Sequence, residues 1–462
     1  MHLDRLVAAI LIPLGAWILL SGIDDCFVSL VSLLAWRSRF RWPAQSELDG
    51  APEGKIAVLI PLWHEAGVIE RMLDRNLATI RYSNYEIFAG VYPNDEATVS
   101  AAYRVALRDP RVHLALCASD GPTSKGDCLN NAWRRMASFE SAHGFRFETI
   151  VMHDAEDLVD VEELRLINFF SRRFEMVQIP VLPLPTGARD FTHGVYCDEF
   201  AEYQSKDIPV RQMLGGFLPS NGVGTGFGRD ALERLALRRG GLVFEPDALT
   251  EDYDTGFSLH RMGCRQAFVP IRIAERGPIA TREYFPRSFH AAVRQRSRWV
   301  AGIALQGWER LGWRVPPRQM YWLWRDRKGL AGNLLTPLAN LLWVYGAAGY
   351  LTAECTGRPW ALGALLPTGF GPVYATTLAL AAVQAAARIR SCARIYGWKF
   401  ASGVPVRMLW ANAVNCAATV AALTQFISSR MQSKRMEWRK TEHAYPAATV
   451  PGYSTATFSE PV

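Results

Sequence analysis

The sequence predicts an α/β domain with a mostly parallel sheet, flanked by transmembrane helices. Between about residues 55 and 313, short apolar runs alternate with stretches of helical periodicity, as in βαβ units. Both ends of the chain are more apolar than this middle part, and basic residues stand beside the apolar runs. With 462 residues, the chain is also longer than one ordinary domain. We therefore expect a globular part and a membrane part.

The middle part contains alternating strand and helix candidates. The predicted strands are residues 56–61, 87–92, 112–117, 149–153 and 176–182. The predicted helices between and after them are residues 68–80, 98–107, 128–139 and 161–174, with a later helix at about 289–308. Ligands of such sheets bind beyond the carboxyl ends of the strands. Polar motifs at those ends are therefore the candidate site.

The N-terminal apolar segment consists of residues 6–20 and 26–36, which together predict one membrane span. A secretory signal peptide is the alternative, but no small-residue cleavage site precedes the polar region. The basic cluster Arg37, Arg39 and Arg41 follows the span. By the positive-inside rule, this cluster places the α/β domain in the cytoplasm.

The C-terminal third contains further apolar segments. Residues 330–351 and 373–387 carry no charged side chain and predict a pair of spans. Residues 404–428 are also long enough to cross, but basic residues flank both of their ends and three amides interrupt them. We therefore expect this last segment to lie at the cytoplasmic membrane surface, with a true span as the alternative.

These segments divide the chain into six predicted parts. They are an N-terminal transmembrane helix with its basic flank (1–41), the α/β domain (50–285), an interfacial helix with a basic linker (286–328), a transmembrane helix pair (329–390), an interfacial or re-entrant helix (400–430) and a cytoplasmic tail (431–462).

Charge and cysteine usage exclude several other classes of protein. The net charge of +7 comes without a zinc-finger, helix-turn-helix or RNA-binding motif, so no nucleic-acid partner is expected. The eight cysteines are widely spaced and form no CxxC pair, which indicates reduced thiols and not a zinc site.

The first three candidate motifs follow predicted strands or open a helix. IPLWHEAG (60–67) ends the first strand and contains Pro61 and Glu65, and YPND ends the second with Asp95; each could also be an ordinary solvated loop. GPTSKGDCLN (121–130) places Lys125 near a helix start, where a lysine suits a phosphate. It lacks the spacing of a P-loop, so nucleotide triphosphate hydrolysis is disfavoured.

The fourth strand ends in HDAED, with Asp154, Glu156 and Asp157 close together. Carboxylates this close repel one another unless a cation lies among them, and their hard oxygens suit Mg²⁺ or Mn²⁺. Helix capping by Asp157 or Asp160 is the alternative. It does not account for Asp154, so we favour a metal shared with a diphosphate.

Two later motifs complete the candidate site. A glycine-rich segment (222–227) contains Gly224 and Thr225 and permits close approach to a ligand, or is an ordinary loop. After it comes Thr250-Glu251-Asp252, where a carboxylate could accept a proton from a hydroxyl or cap a helix. The helix near 289–308 carries Gln295, Arg298 and Trp299, which offer a planar fork for diphosphate and a flat face for a sugar ring.

In this order, the motifs resemble those of membrane-embedded, inverting family-two glycosyltransferases, which include cellulose, chitin and hyaluronan synthases. That family pattern is an Asp, a DxD, a TED and a QxxRW, matched here by Asp95, Asp154-Ala155-Glu156, Thr250-Glu251-Asp252 and Gln295 to Trp299. Longer stretches such as IPLWHEAG, HDAEDL and REYFPRSFHAAVRQRSRW resemble the phage-adsorption protein B type of inner-membrane glycosyltransferase. The DxD reads Asp-Ala-Glu, which leaves the roles of Glu156 and Asp157 open.

The resemblance implies a GT-A fold, a Mg²⁺ or Mn²⁺ ion, a UDP-sugar donor and inversion by single displacement, in a multi-pass protein of the bacterial inner membrane. The implied base is Asp252, beside Glu251. The donor nucleotide would be held by Pro61, Glu65, Asp95, Lys125 and Asp154, the metal by Asp154 and Glu156, and the acceptor and diphosphate by Gly224, Thr225, Gln295, Arg298 and Trp299.

The implied partners are a growing cell-envelope or exopolysaccharide glycan, membrane lipids and an outer-membrane export partner. Non-processive transfer to a lipid-linked acceptor is one alternative, and a catalytically inactive scaffold or phage-receptor component is another. The length of the chain leaves no room for the C-terminal cyclic-dinucleotide-binding domain that some relatives of this type carry, so regulation through it is not expected.

Overall fold

The computed structural model describes residues 2–34, 41–187, 189–274, 277–432, 436 and 445. Arg37, Arg39 and nearly all of the predicted tail lie outside these residues.

The strands found within them are β1 (Ile56–Pro61), β2 (Tyr85–Val91), β3 (Val112–Leu116), β4 (Thr149–Met152), β5 (Met176–Gln178), β6 (Val181–Pro183), β7 (Thr225–Gly228), β8 (Gln266–Phe268), β9 (Ile273–Ala274), β10 (Gly277–Pro278) and β11 (Thr281–Glu283). The α-helices are α1 (His2–Leu34), α2 (Gln45–Asp49), α3 (Ile69–Thr79), α4 (Glu96–Arg108), α5 (Lys125–His143), α6 (Glu163–Ser171), α7 (Phe191–Glu202), α8 (Ile208–Met213), α9 (Arg229–Arg238), α10 (Glu251–Arg261), α11 (Phe289–Trp299), α12 (Gly307–Leu311), α13 (Pro317–Arg327), α14 (Gly329–Thr356), α15 (Phe370–Tyr396), α16 (Trp398–Ala401) and α17 (Val404–Met431). π-Helical turns at Tyr203–Asp207 and Val300–Gln306 continue α7 and α11.

The central sheet has the strand order β3-β2-β1-β4-β7-β5-β8. Strand β7 runs antiparallel to both of its neighbours, whereas the other pairings in this sheet are parallel. The predicted fold class, an α/β domain with a mostly parallel sheet, is therefore confirmed. A parallel pair of short strands, β6 and β11, lies outside the central sheet.

One predicted strand is wrong, and the glycine-rich segment contains a strand that was not predicted. Residues 176–182 do not form one strand, because β5 and β6 are separated at Pro180, which has no N–H to continue a ladder. The glycine-rich segment 222–227 is not only a loop, since its second half begins β7. Gly226 allows α6 to pack directly on this strand: a Cβ there would lie 2.3 Å from the Cγ2 of Ile167.

Both faces of the sheet are covered by helices. In β1, the side chains of Ile56, Val58 and Ile60 join the apolar core beneath α3 and α6, and those of Ala57 and Leu59 join the core beneath α5 and α9. All five are buried. A strand buried on both faces reads as a continuous apolar run, which is why β1 was predictable to the residue.

Four of the described helices, α1, α14, α15 and α17, are long and apolar enough to cross a membrane. Within the 18-residue windows that qualify α14 and α15, no residue is buried in the protein, as expected of lipid-facing helices. Helix α1 is continuous through Asp24 and Asp25. Its Asp24 forms ion pairs with Arg325 at the end of α13 and, at 2.7 Å, with Lys328.

Helix α17 packs against α7, α11 and α14. Its Arg407 donates two hydrogen bonds, of 2.7 and 2.8 Å, to Asp198 of α7, and both side chains are buried. Val406, Leu409 and Ile427 on the other face are exposed. The position of residues 404–428 at the membrane surface remains a prediction.

Candidate active site

A cavity lies at the carboxyl ends of β1, β2 and β4, where the parallel strands predict a ligand site. Helices α5, α10 and α11 each direct polar side chains into it. The predicted site residues that line it are Pro61, Glu65, Lys125, Asp154, Glu156, Glu251, Asp252, Gln295, Arg298 and Trp299. Pro61 and Trp299, which are 238 positions apart in the sequence, thus line the same cavity.

The other three predicted site residues, Asp95, Gly224 and Thr225, are not among the cavity-lining residues. The carboxylate of Asp95 accepts hydrogen bonds from the backbone N–H of His64, at 2.6 Å, and of Thr98 in the first turn of α4. The hydroxyl of Thr225 is fully buried and donates to Gln178 Oε1 at 2.6 Å. Asp95 and Thr225 thus hold the loops around the cavity.

Lys125 is the cationic centre of the cavity. Its Nζ lies 2.7 Å from Asp154 Oδ1 and 3.8 Å from Glu251 Oε1. It is the first residue of α5, whose start is capped by Ser124 accepting a 3.1 Å hydrogen bond from the N–H of Asp127. Burial by itself would lower the pKa of Lys125, but the nearby carboxylates of Asp154, Glu251 and Asp252 raise it, so the side chain is an ammonium.

Burial and Lys125 have opposite effects on the pKa values of Glu251 and Asp252, the two carboxylates that begin α10. Burial raises the pKa of Glu251 to about 7; Lys125 opposes this shift and the charge of Asp252 adds to it. Burial also raises the pKa of Asp252, and Lys125 and Arg298 oppose it. A carboxylate with a raised pKa is a better proton acceptor in the ionised form, which suits general-base chemistry.

Gly222 gives Asp252 its room in the cavity wall. A Cβ on Gly222 would lie 2.8 Å from Asp252 Oδ2, and the φ of +78° favours glycine. The glycine-rich segment therefore meets the predicted base at Gly222 rather than at Gly224.

Some acidic side chains of the loop after β4 line the cavity, and others are buried in the core. Asp154 and Glu156 line the cavity, but Asp157 is fully buried and accepts a 2.8 Å contact from His153 and a 3.0 Å hydrogen bond from the N–H of Asp154. His153 also lies 3.1 Å from Glu163, which accepts a hydrogen bond from Thr281. Asp157 therefore stabilises the conformation of this loop from the core side.

His153 provides the positive charge for this buried acidic group. Burial alone would lower the pKa of His153, but Glu163 and Asp157 raise it to about 10. The imidazolium neutralises two carboxylates that could not otherwise both be buried in ionised form.

Glu283, at the end of β11, lines the cavity and was not singled out from the sequence. Burial raises its pKa, and Glu156, Asp157 and Asp154 raise it further. Sequence reasoning missed this residue because β11 is three residues long and lies outside the main sheet.

Helix α11 presents different faces to the cavity and to the membrane part. Gln295, Arg298 and Trp299 line the cavity, whereas Arg296 points to the other side and pairs with Glu199 at 2.7 Å. The ring of Trp299 meets those of Tyr196, Phe200 and Phe285 at 6.0 to 6.3 Å. Among the described residues, Arg298 forms no ion pair, so its guanidinium is available to a ligand.

Aromatic residues line the part of the cavity near β2. The rings of Trp63 and Tyr92 are edge-on, 5.2 Å apart, and the hydroxyl of Tyr92 lies 2.7 Å from that of Thr123. All three residues line the cavity. A flat aromatic wall with neighbouring hydroxyls suits a nucleoside. IPLWHEAG, YPND and GPTSKGDCLN contained these residues, but the sequence did not indicate that they meet.

The described residues contain no group of three or more His, Cys, Asp or Glu side chains placed to hold a metal ion by themselves. Asp154 and Glu156 are hard oxygen donors on one wall, and two carboxylates make only part of a Mg²⁺ or Mn²⁺ shell. They fit a cation whose remaining ligands come from a diphosphate or water.

Residues 52–302, a little over half of the chain, match the family described as "Glycosyltransferase like family 2". The chain therefore belongs to the family 2 glycosyltransferases. In overall fold it is similar to the mannosyltransferase PcManGT from Pyrobaculum calidifontis, solved in complex with GDP-Man and Mn²⁺, with a TM-score of 0.54, 19% identity and coverage of 90% of this chain and 99% of that one. This likeness confirms a GT-A-like fold.

Among curated proteins, the chain is similar to bacteriophage adsorption protein B of Escherichia coli K12 and to bacteriophage N4 adsorption protein B of E. coli O157:H7. Each is 36% identical over 477 residues, an alignment that covers 95% of this chain and 62% of the relative. The chain thus spans less than two thirds of the length of these relatives.

Proposed function

We propose that the chain is an inverting glycosyltransferase that moves a sugar from a UDP-sugar to a growing cell-envelope or exopolysaccharide acceptor, at the cytoplasmic face of the bacterial inner membrane. The observation that carries the proposal is the convergence of Lys125, Asp154, Asp252, Arg298 and Trp299 on one cavity. Each supplies a part that this transfer needs: cations for a diphosphate, a carboxylate for a divalent ion, a base for a hydroxyl and a flat face for a sugar.

The base in this reaction is Asp252. Its carboxylate takes the proton from an acceptor hydroxyl as that oxygen forms a bond to the anomeric carbon of the donor sugar, on the face opposite the departing diphosphate. One displacement inverts the anomeric centre, and UDP leaves with the bonding electron pair. Lys125 and Arg298 line the same cavity as Asp252, and they stabilise the charge that develops on the diphosphate.

Asp154 and Glu156 are the residues that would hold a divalent cation. A bound Mg²⁺ or Mn²⁺ would neutralise and orient the diphosphate. Lys125 already pairs with Asp154, so in the absence of donor this ammonium neutralises the carboxylate. Donor binding would then place the diphosphate between Lys125 and the acidic wall.

The acceptor is proposed to enter along Trp299 and Gln295. Trp299 is braced by three aromatic rings, so its own position is fixed, and a flat indole face suits a sugar ring. Helix α11 packs directly on α17, which brings this side of the cavity next to the membrane part. A glycan made here would emerge close to the bilayer, where an export partner could receive it.

The test is to give the purified full chain radiolabelled UDP-sugars with Mn²⁺ and to size the products. A polymer ladder supports the proposal. A single added sugar on a lipid would indicate the non-processive alternative. No transfer from any donor, with no binding of UDP, would indicate an inactive scaffold and would overturn the proposal.

A further inference from the structure

Glu283 stands apart from the other acidic residues of the cavity. Asp154 and Glu251 face Lys125, and Asp252 accepts a 2.8 Å hydrogen bond from the N–H of Tyr253. Among the described residues, the carboxylate of Glu283 makes no hydrogen bond and no ion pair. A half-buried carboxylate directed into a cavity without a protein partner is available to a ligand.

The backbone of Glu283 is held firmly, so its side chain is positioned by the fold. Glu283 pairs in register with Pro183 of β6, and its carbonyl accepts a 2.9 Å hydrogen bond from the N–H of Leu184. Two residues earlier in the same strand, the hydroxyl of Thr281 donates a 2.8 Å hydrogen bond to Glu163. These contacts fix the position of β11, and with it the backbone of Glu283, in the cavity wall.

The neighbours of Glu283 define which part of a donor would meet it. On one side are the acidic residues Asp154 and Glu156, where the diphosphate and its cation are proposed to bind. Phe285, two residues further along the chain, also lines the cavity and contacts Trp299, the proposed acceptor platform. The donor sugar must lie between these two regions, because it is bonded to the diphosphate and reacts with the acceptor.

We propose that Glu283 is a specificity-determining residue whose carboxyl group forms hydrogen bonds with hydroxyl groups of the donor sugar. This inference rests on the proposed function, since it assumes a nucleotide-sugar donor in the cavity. A carboxyl group can form hydrogen bonds with hydroxyl groups in either protonation state. Sugars that present hydroxyl groups at this position are therefore selected.

The experiment uses the full chain in detergent with Mn²⁺ and measures binding of UDP, UDP-glucose, UDP-galactose, UDP-N-acetylglucosamine and UDP-glucuronate by calorimetry. The native protein is expected to bind at least one neutral UDP-sugar more tightly than UDP. Glu283→Ala should weaken that sugar nucleotide about tenfold and leave UDP within about twofold. Glu233→Ala, a surface change on α9, is the matched control and should alter none of these values.

Three results would overturn the inference. If Glu283→Ala binds every nucleotide as the native protein does, Glu283 does not contact the sugar. If it weakens UDP itself and the Mn²⁺ requirement changes, Glu283 belongs to the metal and diphosphate. If no sugar adds affinity over UDP in the native protein, the cavity has no sugar contact at this position. In each of these cases native binding of UDP with Mn²⁺ leaves the proposed function standing, whereas a native protein that binds no nucleotide would remove both.

Discussion

The ammonium nitrogen of Lys125 lies 2.7 and 2.8 Å from the two carboxylate oxygens of Asp154, which joins the start of α5 to the loop after β4. The same nitrogen lies 3.8 Å from Glu251 at the start of α10. One cation therefore connects three elements that are distant in sequence, and it lowers the pKa of both carboxylates that open α10.

Replacing Lys125 should move the pH dependence of transfer. In Lys125→Met the cation that lowers the pKa of Asp252 and Glu251 is gone, so both values rise. If Asp252 must be ionised to act, the acidic limb of the kcat/KM profile moves to higher pH, and the rate at neutral pH falls. Profiles measured between pH 5 and pH 9 check this, with Lys125→Arg as the charge-preserving control. An unchanged acidic limb in the Met variant would show that Lys125 does not set the pKa of the base.

Asp252→Asn should abolish transfer while leaving UDP binding nearly intact. The amide cannot take the acceptor proton, and the loss of a general base lowers kcat by about 10²- to 10⁴-fold. Single-turnover transfer and calorimetric UDP binding, measured on the same preparation, separate the two effects. Asp230→Asn, an exposed change on α9, is the control. Near-normal turnover in Asp252→Asn would remove Asp252 as the base.

Divalent cation and UDP should bind together. Since two carboxylates are an incomplete shell, Mn²⁺ should tighten UDP binding in the native protein and not in Asp154→Ala. Calorimetry with Mn²⁺ and with EDTA measures the difference. Equal UDP affinity under both conditions in the native protein would contradict a shared metal site.

Arg298→Lys should lower kcat/KM by about tenfold or more. Lysine keeps the charge but loses the planar fork that binds two diphosphate oxygens at once. Arg294→Lys changes an exposed residue of the same helix and should behave as the native enzyme. If Arg298→Lys also has native kinetics, Arg298 serves as an interfacial anchor and not as a diphosphate ligand.

The end of α17 should face the cytoplasm if this helix lies at the membrane surface. Its inner face is joined to α7 through Arg407 and Asp198, and its outer face is apolar, as expected of an interfacial helix. A cysteine at Gln432, in a Cys355→Ala background, should react with an impermeant maleimide only after lysis of spheroplasts. Native Cys355, exposed near the far end of α14, should react without lysis and serves as the control. Labelling at residue 432 in intact spheroplasts would instead show a crossing helix.

Much of the sheet could be predicted because its parallel strands are buried on both faces. Such strands are continuous apolar runs, and β1, β3 and β4 stand within one residue of their predicted ends. Strand β7 could not be found in this way, because its two glycines have low strand propensity and Gly226 is required by the close approach of α6. Local sequence does not carry that tertiary reason.

The same distinction between local sequence and tertiary packing applies to the candidate site. Lys125, Asp154, Asp252 and Arg298 stand in motifs at strand ends or on helices, so their convergence could be expected. Glu283 stands in a short strand outside the central sheet, and its position depends on the pairing of that strand with β6. Asp95 carries the expected residue type, yet its carboxylate is used to hold the turn at His64.

If α1 spans the membrane, its length sets the height of the cavity above the bilayer. From His2 to Asp24 a helix rises about 33 Å, which is close to the roughly 30 Å hydrocarbon thickness of a membrane. If α1 spans, the ion pairs of Asp24 with Arg325 and Lys328 lie at one surface, and the remaining turns stand clear of the lipid. There Val28 packs with Val210 and Phe217 of the globular part. A thinner or thicker bilayer would then change the height of the cavity above the membrane as well as the position of the helix. Lipid composition would therefore affect catalysis.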